Sequence, residues 1–337
     1  MRSIVLMVVT SAVLALGASP AAAISVTWGG DTTLGSSYGM PPDRGWPQLS
    51  PVADVLRRAD LATLNLEGTF APGGASKCAG ATGKDCFAFQ APAANATTLR
   101  RAGVDVVNLA NNHAFDYGPV GYGGTRRALK AARVGFTGAP GEIRVVTVAG
   151  QKVALLGFAS YRWSSPINDP LRVAALVREA SGMAELVIVF FHGGAEGSDK
   201  GRVPYGHEQA YGEDRGNLRE FTHVAVDAGA DLVLGSGPHV LRGMERYRNR
   251  LIAYSLGNLA GWKNFGTGGA SALSALLTVQ LSPRGLPIGG AVTSLRLDGT
   301  GVPHRDPSRA AESTMRRLSV ADFGRRAIWF SRGKPRS

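Results

Sequence analysis

The chain has 337 residues, of which 44% are hydrophobic and 18% charged, so it can form a substantial core as one large α/β domain or two smaller ones. Its formal net charge of +12 favours anionic partners such as an acidic polymer or phosphate groups. Only 7% of the residues are aromatic and no block of lysine and arginine stands out, which argues against specific nucleic-acid binding.

The first 23 residues have the pattern of a secretory signal peptide. Arg2 precedes a largely apolar run from Ile4 to Leu16, and the small residues Ala21–Ala23 follow. A basic start, a short hydrophobic middle and an A-x-A site are typical of a segment removed during export. The apolar run is short for a membrane span, which needs roughly 18 residues. We therefore expect a secreted or cell-envelope-associated protein whose mature chain starts near Ile24.

In the first half of the mature chain, short apolar runs alternate with helical patterns. The predicted strands are Ile24–Trp28, Leu61–Leu66 and Val104–Leu109, and the predicted helices are Pro51–Ala59, Pro92–Arg101 and Gly121–Arg133. Three successive units of strand, polar loop and helix favour an α/β fold whose strands deliver residues to one rim.

The second half continues this alternation. The predicted strands are Ile143–Val148, Lys152–Phe158, Glu185–Phe191, Asp231–Leu234, Leu251–Tyr254, Ala272–Leu281 and Ala291–Leu297, and the predicted helices are Leu171–Ser181 and Arg215–Ala228. Because no internal repeat or linker interrupts residues 24–298, we expect one domain there. The basic segment 299–337 is expected to be a peripheral C-terminal extension with little role in chemistry.

The two cysteines, Cys78 and Cys86, lie in a loop, residues 70–90, that is rich in Gly, Ala and Lys near them. In an oxidising compartment such a pair is expected to close a small surface loop by a disulfide. A two-thiolate metal site is the alternative, but this spacing without nearby histidines matches zinc sites poorly.

Polar clusters follow several of the apolar runs directly. They are Asp31, Asn65/Glu67, Asn112/His113, His192/Glu196 and His239. Carboxylate, amide and imidazole donors without a thiolate suit one or two divalent ions such as Mn, Zn or Fe. A nearby histidine can transfer a proton near neutral pH. The alternative is that these side chains only cap turns and helices.

The clusters belong to longer motifs that occur in a fixed order. These are Gly30–Gly35, Asn65–Glu67, Asn111–Gly118, His192–Glu196, Gly235–Val240 and Tyr254–Asn258. The series resembles that of CapA-type proteins, the poly-γ-glutamate capsule biosynthesis family, which is a branch of the calcineurin-like metallophosphoesterase superfamily. The resemblance runs from about Val26 to Asn258. It implies a four-layer αββα fold with a metal site at one rim.

The resemblance also implies roles for particular residues. The implied metal ligands are Asp31, Glu67, Asn112, His192 and His239, with Glu67 in the bridging position. His113 is implied to be the general acid, held by Asp116. We expect the substrate pocket to include Asn65, Glu196, Tyr254 and Asn258, although a tight turn at Gly257-Asn258 would also explain the last two.

Two positions depart from the superfamily pattern. Thr33 and Gly237 stand where histidines are usual, so each metal loses an imidazole. Glu196, Asn65 or water can compensate, or one ion binds instead of two. His207, His223 and His304 match no motif, and we expect them to be structural or solvent-exposed.

The sequence supports two classes of function. The first is a metal-dependent hydrolase or transferase that acts on poly-γ-glutamate, another anionic cell-envelope polymer or a phosphoester, together with a membrane-associated synthesis machinery. The second is a non-catalytic component that binds or assembles the polymer and retains a degenerate metal site. A third hypothesis is a secreted phosphoesterase.

Overall fold

The computed structural model describes residues 22–81, 86–331 and 333–336. Within them, eight strands form a mixed sheet around the N-terminal strand. In spatial order these are Pro303–Arg305, Pro287–Leu297, Leu273–Leu281, Ile24–Thr33, Leu61–Leu66, Val106–Asn108 and Gly135–Thr137, with Asn258–Gly261 paired to the end of Ile24–Thr33. From Ile24–Thr33 to Gly135–Thr137 the neighbours run parallel, so their carboxyl ends meet at one edge.

A second mixed sheet contains seven strands of the described chain. In spatial order they are Met244–Tyr247, Arg250–Ala253, Leu232–Ser236, Leu186–His192, Gln151–Ala159 and Ile143–Val148, with Ser165–Pro166 paired to Gln151–Ala159. The central strands are again parallel, and His192 pairs in register with Ser236 at their carboxyl ends.

Helices lie outside both sheets. They are Trp46–Leu49, Ala53–Arg58, Ala96–Ala102 and Gly118–Ala131 near the first sheet, and Pro170–Ser181 and Leu218–Asp227 near the second. The helix Ala310–Phe323, near the C-terminus, instead contributes Ala311 and Met315 to the core between the sheets. Short 3-10 turns occur at Pro42–Gly45, Ser50–Val52, Ala93–Asn95, Gly269–Ala272 and Gly324–Arg326, and two-stranded ribbons pair Thr69–Phe70 with Gln90–Ala91, Gln209–Ala210 with Glu213–Asp214, and Trp329–Ser331 with Lys334–Arg336.

Apolar side chains fill the space between the sheets and the space between each sheet and its helices. In Leu186–His192, Ile188 and Phe190 face the other sheet, whereas Val187 and Val189 face the helices. A strand buried on both faces is expected to be apolar throughout, as this one is. The expected four-layer αββα architecture is therefore confirmed.

Trp28 and Phe190 tie the two sheets together. Their rings stack with centroids 4.9 Å apart, and Trp28 Nε1 donates a hydrogen bond to the carbonyl oxygen of Gly235 at 3.1 Å. Trp28 lies three residues before Asp31, and Phe190 two before His192. This contact therefore sets the distance between the strand ends that carry the predicted ligands.

The Phe190→Ala variant is expected to lower the free energy of unfolding by about 3–5 kcal/mol, because a fully buried aromatic ring is replaced by a cavity. Urea unfolding followed by circular dichroism measures this. Leu171→Ala, at a side chain that is 85% exposed, is the control and should change the free energy by less than about 0.5 kcal/mol. Equal effects of the two changes would contradict the assigned core.

The ends of the chain differ from expectation in one respect. Most of the predicted signal peptide, residues 1–21, lies outside the described residues, and so its prediction stays a prediction. The C-terminal segment is not peripheral, because Ala311, Met315, Ile328 and Phe330 belong to the core between the sheets.

None of the helices in the described residues has the length and apolar character needed to cross a membrane. The predicted disulfide between Cys78 and Cys86 is confirmed.

Candidate metal centre

The carboxyl ends of adjacent parallel strands place Asp31, Asn65 and Asn108 side by side. Asn65 Nδ2 donates to Asp31 Oδ1 at 2.8 Å, and Asn108 Nδ2 donates to Asn65 Oδ1 at 3.0 Å. The backbone N–H of Gly237 donates to Asp31 Oδ2 at 3.1 Å. Asp31 is fully buried, and a hydrogen bond to each oxygen fixes the orientation of its carboxylate.

Glu67 lies at the centre of the site, one residue after the strand Leu61–Leu66. Three imidazole nitrogens face its Oε1, namely His192 Nε2 at 3.6 Å, His239 Nε2 at 3.7 Å and His113 Nε2 at 3.9 Å. These separations exceed the length of a hydrogen bond, about 2.7–3.2 Å. They are closer to the roughly 3.4 Å between two ligands on one tetrahedral ion with bonds of about 2.1 Å.

The imidazoles of His113 and His239 are held through Nδ1. His239 Nδ1 lies 2.7 Å from Asn258 Oδ1, and His113 Nδ1 lies 2.8 Å from Asp116 Oδ2. Because both partners are acceptors, each neutral ring carries its hydrogen on Nδ1 and presents the lone pair of Nε2 towards Glu67. Histidines that ligate metals are usually supported in this way.

Several buried atoms at the centre have no hydrogen-bond partner among the described residues. They are both carboxylate oxygens of Glu67, Nε2 of His192 and Oδ1 of Asn112. Unpartnered buried polar atoms are rare because they cost free energy. Carboxylate, imidazole and amide oxygen are all donors that a divalent ion accepts. In addition, ligand atoms of Asp31, Glu67 and His239 lie within 4.8 Å of one another, so the residues fit a divalent cation.

Burial and charge together set the protonation of this cluster. Burial and the neighbouring Asp31 carboxylate raise the pKa of Glu67 well above its usual value. Burial alone would lower the pKa of His239, but Glu67 and Asp31 raise it well above the usual value. Both shifts favour bound protons, which a cation at the same place would displace.

Asp31 and His192, next to Glu67 and His239, have lowered pKa values instead. Burial opposes ionisation of Asp31, but its hydrogen bonds with His192 and His239 hold its pKa below the usual value. Burial lowers the pKa of His192 to about 4, so its ring is neutral near pH 7. An ionised carboxylate and a neutral imidazole are the forms that ligate a metal.

His113 is the end of a chain of contacts that includes Asp116 and Lys77. Asp116 Oδ2 also accepts a hydrogen bond from the backbone N–H of Phe89 at 2.6 Å, and Oδ1 lies 2.7 Å from Lys77 Nζ. The rings of His113 and Phe89 stack with centroids 4.4 Å apart. Burial lowers the pKa of His113, and the Asp116 carboxylate opposes this shift. The imidazole is thereby fixed with Nε2 towards the cluster.

A cavity of about 520 Å³ opens onto the cluster. His113, His239, Asn112, Glu196 and Asn258 line it, together with the cations Lys77 and Arg215 and the aromatic residues Phe87, Phe89, Tyr161, Trp163 and Phe265. The donor cluster is therefore accessible to a substrate, and the walls combine apolar surface with charged groups of both signs, including Glu196 and Glu213.

Two residues predicted to contact substrate do not have that environment. Tyr254 is fully buried in the core beneath the outer helices, where its hydroxyl donates to Glu245 Oε2 at 2.8 Å and its ring stacks on Phe323. Its prediction is wrong, because its side chain follows Ile252 onto the helix-facing side of the sheet. Asn65 is also fully buried and supports Asp31 through the hydrogen bond described above.

The three histidines outside the motifs lie in other surroundings. His223 stacks on Tyr247 at 3.8 Å and pairs with Glu245, in agreement with a structural role. His207 and His304 are exposed and pair with Asp214 and Asp298. The expectation for all three is confirmed.

Arg215 is a site residue that the sequence pattern did not indicate, because it was predicted to begin a helix. The helix instead spans Leu218–Asp227, and the Asn217 side chain accepts a hydrogen bond from the N–H of Glu220 at its start. Asn followed three residues later by Glu is a capping pattern that could have located this start. Arg215 therefore lies in the preceding loop, where its buried guanidinium pairs with Glu196.

Comparison with known proteins identifies the family. The sequence model described as Bacterial capsule synthesis protein PGA_cap matches residues 25–261. The chain belongs to this family. The match confirms the resemblance to CapA-type proteins, and every predicted ligand of this PGA_cap member lies within the matched region.

Relatives of this PGA_cap member include proteins of capsule formation. It is 30% identical over 254 residues to the capsule biosynthesis protein CapA of Bacillus anthracis. The aligned region covers 68% of this chain and 57% of that relative. It is 31% identical over 185 residues to the PGA biosynthesis protein CapA of Bacillus subtilis, covering 49% and 45%. A probable polyglutamine synthesis accessory protein of Mycobacterium tuberculosis is 26% identical over 254 residues, covering 65% and 60%. The chain thus spans about half of the length of these relatives.

Similar solved structures include phosphoesterases. A putative 5'-nucleotidase from Staphylococcus aureus has a TM-score of 0.47 and 13% sequence identity, and the similarity covers 87% of this chain and 58% of that one. The calcineurin-like phosphoesterase YfkN from Bacillus subtilis has a TM-score of 0.44 and 13% identity, with coverage of 89% and 97%. At this level the similarity concerns the fold alone.

Proposed function

We propose that this PGA_cap member is a divalent-metal-dependent hydrolase or transferase in the biosynthesis of poly-γ-glutamate or another anionic cell-envelope polymer. The observation that carries the proposal is the environment of Glu67. Its fully buried carboxylate has no hydrogen-bond partner among the residues that the structure describes, and it faces three imidazole nitrogens at 3.6–3.9 Å beside an open cavity. The CapA relatives, which are named for capsule and PGA biosynthesis, support the polymer, and a phosphoester is the other candidate substrate.

The proposed ligands of one or two ions of Mn, Zn or Fe are Asp31, Glu67, Asn112, His192 and His239. A bound divalent cation would supply Lewis acidity to the electrophilic group of the substrate. Asn65 and Gly237 hold Asp31 in place, and Asn258 orients His239. Such supporting contacts fix ligand geometry before the cation binds.

In this mechanism, the His113 ring first takes up a proton on Nε2, and the resulting imidazolium gives that proton to the leaving group. Asp116 accepts the Nδ1 hydrogen and holds the ring, and Lys77 offsets the negative charge of Asp116. The ring of Phe89 packs on the imidazole and keeps water from that face. A proton donor fixed beside the reacting bond typically contributes about 10²–10⁴-fold to rate.

The expected partners follow from charge and the N-terminal pattern. The net charge of +12 favours an anionic substrate. The signal-peptide pattern of residues 1–23 supports a role outside the cytoplasmic membrane, secreted or bound to the cell envelope beside a membrane-associated synthesis machinery.

Metal content and turnover of the purified chain test the proposal. Protein dialysed against Mn²⁺, Zn²⁺ or Fe²⁺ is expected to retain at least about one ion per chain, and to cleave poly-γ-glutamate or an aryl phosphate only when loaded. Mass spectrometry of metals and chromatography of the products measure both. Protein that retains metal but turns over neither substrate would instead favour a non-catalytic polymer-binding component. Protein that retains no ion would contradict the proposed centre.

A further inference from the structure

Gly237 and Thr33, which stand where the superfamily usually has histidines, offer no ligand atom to the metal cluster. An ideal Cβ on Gly237, where φ is +116°, would lie 2.8 Å from both the backbone nitrogen and the oxygen of Gly193. The backbone therefore leaves no room for a side chain at this position. Thr33 donates its hydroxyl hydrogen to the carbonyl oxygen of Gly35 at 3.3 Å. The group formed by Asp31, Glu67 and His239 must find further donors elsewhere.

Glu196 extends into this group from the loop after the strand Leu186–His192. Its Oε2 lies 3.6 Å from Nε2 of His239, the same nitrogen that lies 3.7 Å from Glu67 Oε1. Both separations exceed hydrogen-bond length and suit ligands that share one ion. The Glu196 side chain is 11% exposed and lines the cavity.

The loop that carries Glu196 is held from several sides. The N–H of Ala195 donates to Glu208 Oε2 at 3.0 Å, and the N–H of Gly194 donates to the carbonyl oxygen of Arg215 at 2.8 Å. Glu208 in turn forms a buried ion pair with Arg242 at 2.6 Å. A ligand on this loop would therefore have a fixed backbone, which is what a preorganised metal site requires.

Arg215 fixes the side chain of Glu196. Its guanidinium is 1% exposed, and Nη1 pairs with Glu196 Oε1. An arginine often binds both oxygens of a carboxylate. Here Arg215 contacts Oε1 of Glu196, and Oε2 of Glu196 faces His239. Nε and Nη2 of Arg215 have no hydrogen-bond partner in the described part of the chain, so its main polar partner there is Glu196.

We propose that Glu196 is a further ligand, through Oε2, of the cation held by Asp31, Glu67 and His239, and that Arg215 is its positioning residue. This inference rests on the proposed metal-dependent function. It replaces the prediction that Glu196 contacts substrate. The resulting donor set of three carboxylates and one imidazole suits a hard divalent cation such as Mn²⁺.

Calorimetric titration of the full chain with Mn²⁺ tests the inference. Glu196→Gln is expected to weaken binding by at least about 100-fold, and Arg215→Met by about 10–100-fold, the usual effect of losing a supporting residue. Glu213→Gln is the matched control, because Glu213 lies 4.0 Å from the same Nη1 but its side chain is 50% exposed. In the described residues, His239 pairs with Asp31, Glu67 and Glu196 and not with Glu213. Glu213→Gln should leave the affinity unchanged.

A second readout separates ligation from loss of structure. The visible spectrum of the Co²⁺-loaded protein reports the number and type of ligands, and it should change in Glu196→Gln but not in Glu213→Gln. If Glu196→Gln does not fold, Glu196→Asp, which keeps the charge but shortens the reach, should show the same weakening. Wild-type affinity and spectrum in the Glu196 variants would overturn the inference and leave the proposed function intact. A wild-type chain that binds neither Mn²⁺ nor Co²⁺ would overturn both.

Discussion

In a Mn²⁺ titration, the Glu67→Gln variant is expected to bind at least about 100-fold more weakly than the wild type, because even residues that only support ligands contribute about 10–100-fold. Its metal-free form should unfold at the same temperature as the metal-free wild type or at a higher one. The native carboxyl group of Glu67 is buried without a hydrogen-bond partner in the described residues, so an uncharged amide of nearly the same shape removes no hydrogen bond. Thermal unfolding with and without Mn²⁺ measures both effects.

The decisive result for Glu67→Gln is a loss of Mn²⁺ affinity without a loss of stability in the metal-free form. Mn²⁺ should raise the melting temperature of the wild type, since it binds the folded state, and should leave that of Glu67→Gln unchanged. Glu220→Gln, at an exposed glutamate in the first turn of Leu218–Asp227, is the control and should behave like the wild type. A Glu67→Gln protein that still gains stability from Mn²⁺ would remove Glu67 from the centre of the site.

The His113→Ala variant is expected to lose about 10²–10⁴-fold in kcat while it retains the wild-type metal content, because a proton donor is lost and the proposed ligands remain. The measurement is kcat on whichever substrate the loaded wild type cleaves, together with metal analysis of the same sample. The conformation of the His113 loop is expected to persist, since the N–H of the residue still donates to Asn111 Oδ1.

His304→Ala is the matched control for this change, because His304 is exposed and pairs with Asp298. It should leave both kcat and metal content unchanged. If His113→Ala instead lost the metal, His113 would be a ligand, which its distance of 3.9 Å from Glu67 also permits. If kcat were unchanged, the proton would have to come from another group.

The sequence could predict that the ligands lie at the ends of strands, because the fold is built from parallel strands. An apolar run followed by polar residues marks the carboxyl end of a buried strand, and the ends of parallel neighbours share one edge. Asp31, Asn65 and Asn108, at the ends of three neighbouring strands of the first sheet, come together for this reason. The apolar run also predicted a strand at Glu185–Phe191, and the structure has it at Leu186–His192. The layers of helices outside the sheets were implied by the resemblance to CapA-type proteins.

Other features depend on contacts between distant segments, and local pattern could not predict them. Tyr254 stands in a recognisable motif, yet its side chain lies with Ile252 in the core between the second sheet and its helices. Met315 and Phe330 read as parts of a basic tail, but they complete the core between the sheets.

By itself, the sequence determined which residues end the strands and that carboxylate, amide and imidazole donors would share one rim. Only the tertiary structure decided which of those donors face each other, since this depends on how the two sheets pack through Trp28 and Phe190. It likewise decided that Arg215 would reach Glu196 across 19 residues of chain. Periodicity specifies the face on which a side chain lies, whereas distances between faces are set by the packing of the whole core.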